Sequence, residues 1–388
     1  MSQKSMHDME YAEFALEKMK KIPQEQRKLL IGIDDFLDKL ALAPFIGVPY
    51  SEGNRKNIGQ GHTLLMAAPG AGKTDGARSL ANTIDAQFSF IGFNPEMKTS
   101  DLMGGEIYNQ LSGEFFFAEG PMYGHIILAD EINRGHPKSQ ASLLQAMEER
   151  VGISSRMNLK LKKVVNTIIP LFPVEPNSHK LISLIIGTAN QFEQEGTYPI
   201  PEAQLDRFTL FLDVPPPKRA DEKRVRLSNV YDLNDETKGP QIQKVITLNE
   251  TWDISRFIIR YVRPINGTQA DEAMMRFVEN SRPKRKGEKE LREFAHPKLI
   301  KFIDDYVKAG LSTRANFHFE ATARTLAFRR GRNYISVDDV KEVARMVMPH
   351  RILLKPLAKG RGYSQRDVVE EILKLTDLRR LDDDFYNR

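Results

Sequence analysis

The sequence predicts an α/β protein, with a parallel sheet covered by helices on both faces and a smaller all-α domain after it. Three observations carry this. Residues 126–129 (Ile-Ile-Leu-Ala) form a short apolar run that stops on two adjacent carboxylates, Asp130 and Glu131. Residues 63–66 (Thr-Leu-Leu-Met) form a second such run, followed by the glycine-bearing stretch 67–74 and a helix-like segment, 75–81. The prolines Pro215, Pro216 and Pro217 then mark a boundary, beyond which the pattern turns mostly helical.

Near-continuous apolar runs, rather than alternating ones, fit strands buried on both faces. In open α/β sheets, ligands bind outside the carboxyl ends of such strands. Two acids there are costly unless they serve a cation and a reaction. A magnesium ion with a phosphate-bearing substrate meets that need. Ala67-Ala68-Pro69-Gly70-Ala71-Gly72-Lys73-Thr74 between a strand and a helix is the setting a P-loop requires. Its backbone N–H groups and the helix N-terminus would cradle phosphate oxygens. Pro69, Gly70, Ala71, Gly72, Lys73, Thr74 and Asp75 are thus the nucleotide-binding candidates. Lys73 would reach the outer phosphates of ATP. Thr74 and Asp130 would hold Mg2+, and Glu131 would polarise the attacking water. Ala67 stands where the full motif has its first glycine. Gly-Lys-Thr alone arises by chance in about one chain in five of this length, so the preceding strand and the distant acid pair carry the reading.

In chain order, residues 7–22 predict a helix stopped by Pro23, and 25–43 an amphipathic helix with Ile33, Phe36, Leu37 and Leu40 on one face. The polar stretch 50–61 separates this from the P-loop strand. Further strands are predicted at 87–91, 125–129, 183–188 and 208–212, with a helix at 138–150. A basic helix is expected over 218–231, then a polar stretch, 232–245. In the second domain, 317–330 reads as helix, and Ser336 with Asp339 as a capping box opening a helix striped by Val340, Val343, Ala344 and Val347. The division is therefore a polar helix (1–24), the nucleotide domain (25–217), a linker (218–248) and the helical domain (249–388), with an unusual insertion over 265–300. The charged segment 281–292 lacks the interleaved aromatics that stack bases, and reads as a solvated loop before a nucleic-acid patch.

The chain is 40% hydrophobic and 28% charged over its 388 residues, ordinary for a globular protein. No apolar run reaches membrane-span length, and residues 1–19 do not read as a signal peptide. The absence of cysteine excludes disulfides, thiol catalysis and cysteine–zinc sites, and the eight histidines show no ligand spacing. A cytoplasmic protein is expected. The net charge of +5 is a mild excess and does not itself imply nucleic acid.

Two long strings are more specific. One runs Ala129-Asp130-Glu131-Ile132-Asn133-Arg134, then Pro137-Lys138-Ser139-Gln140 and Ala146-Met147-Glu148-Glu149-Arg150. The other holds Gln194-Glu195-Gly196-Thr197-Tyr198-Pro199, then Pro201-Glu202-Ala203-Gln204-Leu205-Asp206-Arg207-Phe208. These resemble the MoxR family of AAA+ ATPases, over 25–217 and more loosely over 310–355. The resemblance implies a three-layer αβα nucleotide domain with a helical lid, a homo-oligomeric ring, usually a hexamer, and two β-hairpin insertions of the helix-2-insert clade, at 104–120 and 151–182. It implies that Asn190 orients the lytic water and that Arg207 is an arginine finger offered to the neighbouring subunit. Gly310-Leu311-Ser312-Thr313-Arg314-Ala315 resembles the lid's sensor 2 motif, with Thr313 where the family usually has proline; Arg314 would read the phosphate state. The implied function is chaperone-like remodelling of a client protein, or insertion of a cofactor or metal into it, with a partner bearing a von Willebrand factor A domain. A nucleic-acid-translocating motor and a nucleotide-dependent switch with little turnover are the alternatives. Lys138, residues 115–117 and Trp252 read as a solvated helix start, hairpin packing and core, and Arg134 is held open as a phosphate or interface contact.

Overall fold

The computed structural model describes residues 3–52, 55–59, 61–67, 70–111, 113–149, 151–158, 163–170, 183–189, 198–216, 218–228, 241–284 and 294–378. Five parallel strands form the central sheet: β1 (Thr63–Ala67), β2 (Phe88–Gly92), β3 (Ile126–Asp130), β4 (Leu184–Ala189) and β5 (Leu210–Val214). Their spatial order is β5-β1-β4-β3-β2, all pairings parallel. Side chains alternate across the pleat. Ile126, Leu128 and Ile186 join one buried cluster; Ile127, Ala129 and Ile185 join another on the opposite face. That is why these strands read as unbroken apolar runs.

Two antiparallel hairpins flank the sheet, Gly104–Asn109 with Glu114–Glu119 and Val151–Asn158 with Lys163–Pro170. A third, Val48–Glu52 with Arg55–Gly59, occupies the stretch that composition marked only as polar spacer. The lid packs helices Leu248–Tyr261, Gln269–Asn280, Pro297–Tyr306, Arg314–Arg329, Val337–Val347 and Gln365–Leu375. Ser336 and Asp339 form the reciprocal capping box. The stripe Val340, Val343, Ala344 and Val347 is fully buried, and Trp252 is core.

Two local readings are corrected. The first helix runs Gln3–Gln26, through Pro23. A proline this close to a helix end forfeits a single bond, and Ala15, Met19 and Ile22, all buried, hold the helix against the core. The amphipathic pattern at 25–43 is two pieces. Gly32, with a left-handed backbone (φ +84°), breaks it, and helix resumes only over Asp34–Leu40. Glycine alone adopts that conformation without steric cost. A Cβ on Gly32 would also lie 2.7 Å from Asp221 Cβ. Within 265–300, the Gln269–Asn280 helix is integral to the lid core, with Ala273, Phe277 and Val278 buried; residues 285–292 of the charged segment 281–292 lie outside the described residues. Among the described residues, no helix is long and apolar enough to cross a membrane.

Candidate functional site

The turn after β1 enters the helix Lys73–Thr83 through Gly70 (φ +76°) and Gly72 (φ +80°). This left-handed conformation would cost other residues about 1–2 kcal/mol each. The helix is anchored beneath by Ala77, Leu80 and Ala81, all buried. Gln26, fully buried at the end of the first helix, donates to the Gly76 carbonyl (3.2 Å) and Ser79 Oγ (3.0 Å). Lys73 Nζ thereby lies 3.9 Å from Asp130 Oδ1 at the tip of β3. A Cβ built on Gly72 would be 3.5 Å from Leu30 Cδ2 and 4.0 Å from Ile33 Cδ1, so an apolar wall adjoins the turn.

The acid pair is held by the neighbouring strand. Thr188 on β4, 1% exposed, donates its hydroxyl to Asp130 Oδ1 (2.6 Å) and accepts from the Glu131 N–H (2.8 Å). Glu131 itself adopts a left-handed backbone (φ 53°, ψ 48°), which swings its side chain out of the strand line. Its carboxylate accepts from Arg134 Nη1 at 2.8 Å. Gln140, fully buried, donates to the Ile132, Gly135 and Tyr198 carbonyls and so braces the turn after the acids.

No group of three histidine, cysteine or acidic side chains suited to a metal occurs among the described residues. Magnesium bound with a nucleotide keeps several waters and takes only one or two protein oxygens besides phosphate. Asp130 and Thr74, hard oxygen donors beside a glycine turn and a lysine, fit that ion.

Arg207 belongs to a second locus, the turn before β5. Asp206 accepts from Arg351 Nε at Oδ1 (2.7 Å) and from Ser312 Oγ at Oδ2 (2.8 Å). His350 Nε2 meets the Phe208 carbonyl (2.9 Å), and Thr209 Oγ1 meets His318 Nδ1 (2.7 Å). Burial, reinforced by the nearby Arg351 charge, pushes both His318 and His350 well below the usual histidine range. Burial also draws the Arg351 guanidinium down to about 10, with Asp206 opposing the shift, so it remains charged at neutral pH. Arg314 begins the Arg314–Arg329 helix, exposed, two residues after Ser312.

The structure thus groups Gly70, Ala71, Gly72, Lys73, Thr74 and Asp75 with Asp130 and Glu131, and Arg207 with the segment bearing Arg314. Pro69 and Asn190 lie outside the described residues. Lys138 is exposed, while Tyr108 and Phe115 pack with ring centroids 5.0 Å apart on the first hairpin. Sequence reasoning assigned no role to Thr188, Gln140 or Arg351. The signals were a threonine closing the run Leu184-Ile185-Ile186-Gly187 and the His350-Arg351 pair embedded in an apolar stretch. A cavity of about 300 Å³ lies elsewhere, between β5, Asp34–Leu40 and the lid. Its Arg345 and Glu370 neutralise each other, as do its Arg366 and Asp213.

The strand order, the glycine turn facing the acid pair and the helical lid define the class, an AAA ATPase. The family model described as ATPase family associated with various cellular activities (AAA) matches residues 62–180, and the AAA lid domain model matches 301–372. The chain is 33% identical to the Bacillus subtilis protein YeaC over 81% of its own length and 85% of that protein's. It is 28% identical to the chaperone MoxR1 of Mycobacterium tuberculosis, covering 91% of this chain and 80% of the relative. A crystal structure from Cytophaga hutchinsonii, described as a candidate ATPase, superimposes with a TM-score of 0.76 at 29% identity, over 97% of this chain and 99% of that one. The chain belongs to the MoxR family of AAA+ ATPases, and its reaction is ATP hydrolysis.

Proposed function

We propose that the protein works as a ring, of six subunits by family resemblance, that couples ATP hydrolysis to remodelling or maturation of a client protein. A partner carrying a von Willebrand factor A domain would present that client. The similarity to a relative named a chaperone supports the client reading. The observation that carries the catalytic reading is the approach of Lys73 Nζ to Asp130, 3.9 Å, beside Glu131.

In this reading the Gly70–Gly72 turn and Lys73 hold the phosphates, while Leu30 and Ile33 offer an apolar wall to the base. Thr74 and Asp130 hold magnesium, which supplies charge neutralisation on the phosphates. Glu131 must leave Arg134 to orient and deprotonate water, and Asn190 positions that water. Arg207 neutralises charge developing in the adjoining subunit's pocket. The Ser312–Asp206 bond ties the segment before Arg314 to the turn of Arg207. This supports Arg314 acting beside Arg207, at the same neighbouring pocket, rather than at its own P-loop.

The test mixes Lys73→Ala subunits with Arg207→Ala subunits, each inactive alone. Recovered turnover is expected, because some interfaces join an intact P-loop to an intact finger. A mixture as dead as its components would overturn the shared-site reading. Co-purification of a von Willebrand A-domain protein, strengthened by ATP, checks the partner.

A further inference from the structure

We infer that Arg351 is a positioning residue for hydrolysis in the adjoining subunit: it fixes the turn that carries Arg207 and transmits the lid's position to it. The inference rests on the reading of Arg207 as the finger.

Arg351 closes the short helical turn Pro349–Arg351, directly after the lid helix Val337–Val347. Its side chain is 1% exposed. Every nitrogen of the guanidinium is engaged. Nε donates to Asp206 Oδ1; Nη2 donates to the Asp206 carbonyl (3.2 Å) and the Phe208 carbonyl (2.6 Å); Nη1 donates to the Thr209 carbonyl (3.4 Å) and to the Val347 carbonyl at the end of the preceding lid helix (2.5 Å). Four of these five bonds fall on residues 206–209, and they bracket Arg207 on both sides.

A need for packing alone does not explain this arrangement. An apolar residue fills such a site at no desolvation cost, whereas a buried guanidinium must be matched donor by donor. The planar fork is what lets one side chain hold a carboxylate and three backbone carbonyls of one turn at once; an ammonium cannot. The residues on either side of Arg207 are therefore tied to the lid, in addition to the backbone bonds that hold the turn to its own domain, Arg207 N–H to the Gln204 carbonyl (3.2 Å) and Thr209 N–H to the His62 carbonyl (2.7 Å). The same Asp206 carboxylate takes Ser312 on its other oxygen. The lid thus grips the turn at two points, one of them two residues from Arg314. A lid rotation either carries the turn with it or breaks buried charged bonds.

The experiment uses full-length Arg351→Lys and Asp206→Asn proteins, each assayed alone and mixed with Lys73→Ala or Arg207→Ala subunits. Alone, each keeps nucleotide affinity, and turnover drops by about 10²-fold, the scale of a misplaced catalytic group. Mixing with Lys73→Ala restores activity in on the order of a quarter of the pockets, from random mixing in a closed ring. Mixing with Arg207→Ala restores none. A general folding lesion gives no rescue by either. The inference is overturned if turnover is unchanged, or if Lys73→Ala fails to rescue these variants although it rescues Arg207→Ala. Failure of the Lys73→Ala and Arg207→Ala mixture itself instead removes the underlying finger reading. Asp206→Asn keeps the buried arginine in place and decides the question if Arg351→Lys does not fold.

Discussion

The tip of β3 and the turn before β5 each hold charge in place, by different means. At β3, the anchors come from the sheet and the helix beside it: Thr188 on the adjoining strand and Lys73 on the P-loop helix. At residues 206–209, the lid adds its own anchors, in His318, His350 and Arg351, to the backbone bond from Thr209 N–H to the His62 carbonyl beside β1. The first locus is rigid with its own sheet. The second is shared between its own sheet and the lid. In the ring proposed above both properties have a use, a pocket that keeps its geometry and a cation whose placement follows the lid.

Variants can sharpen that contrast. The largest effects belong to the chemistry. Glu131→Gln is expected to lower turnover by about 10²–10⁴-fold while ATP is retained, measured as phosphate release against equilibrium nucleotide binding. Arg207→Ala is expected to lose about 10³-fold in the same assay; a loss of ATP affinity of similar size would place it in its own subunit's pocket instead. A smaller effect belongs to the strand-tip anchor. Thr188→Val keeps shape but leaves Asp130 and the Glu131 N–H without their partner. The cost is about 1.5–3 kcal/mol, that of a hydrogen bond to a charged group. Denaturant unfolding checks it, and an unchanged midpoint would show that the tip needs no such brace.

A pH titration separates the two loci further. His318 and His350 are held neutral by burial and by Arg351 when folded, with their folded pKa below the unfolded value. Between those values the unfolded chain binds more protons, so stability rises with pH there. It is complete above the ordinary histidine value of about 6.5 and is lost as pH falls below it. Unfolding at about pH 7.5 and about pH 5.5, either side of that value, should show this loss, and His350→Gln should flatten it. A slope unchanged by that substitution would assign the acid sensitivity to other groups.

The strand-tip locus was legible because its parts are contiguous in sequence: an apolar run, then two acids; an apolar run, then glycines and a lysine. Strand ends shifted by only one or two residues. The second locus was half legible. Arg207 stood out only through the resemblance, while its holder, Arg351, lies 142 residues beyond Thr209 and contacts it through backbone atoms that carry no residue-type signature. The helical pattern at 25–43 concealed Gly32 because the apolar spacing on either side keeps phase. Pro23 misled because tertiary burial of Met19 and Ile22 outweighs one missing bond.

The left-handed backbone of Glu131 has its own consequence. Glycine there would relieve roughly 1–2 kcal/mol of steric conflict and lose about 0.4–1 kcal/mol to a freer denatured chain. A Glu131→Gly protein should therefore melt slightly above the natural one while turning over nothing. The native sequence forgoes some thermal tolerance to keep an acid where a more comfortable residue would fit, so selection for heat resistance alone would drift toward a silent enzyme.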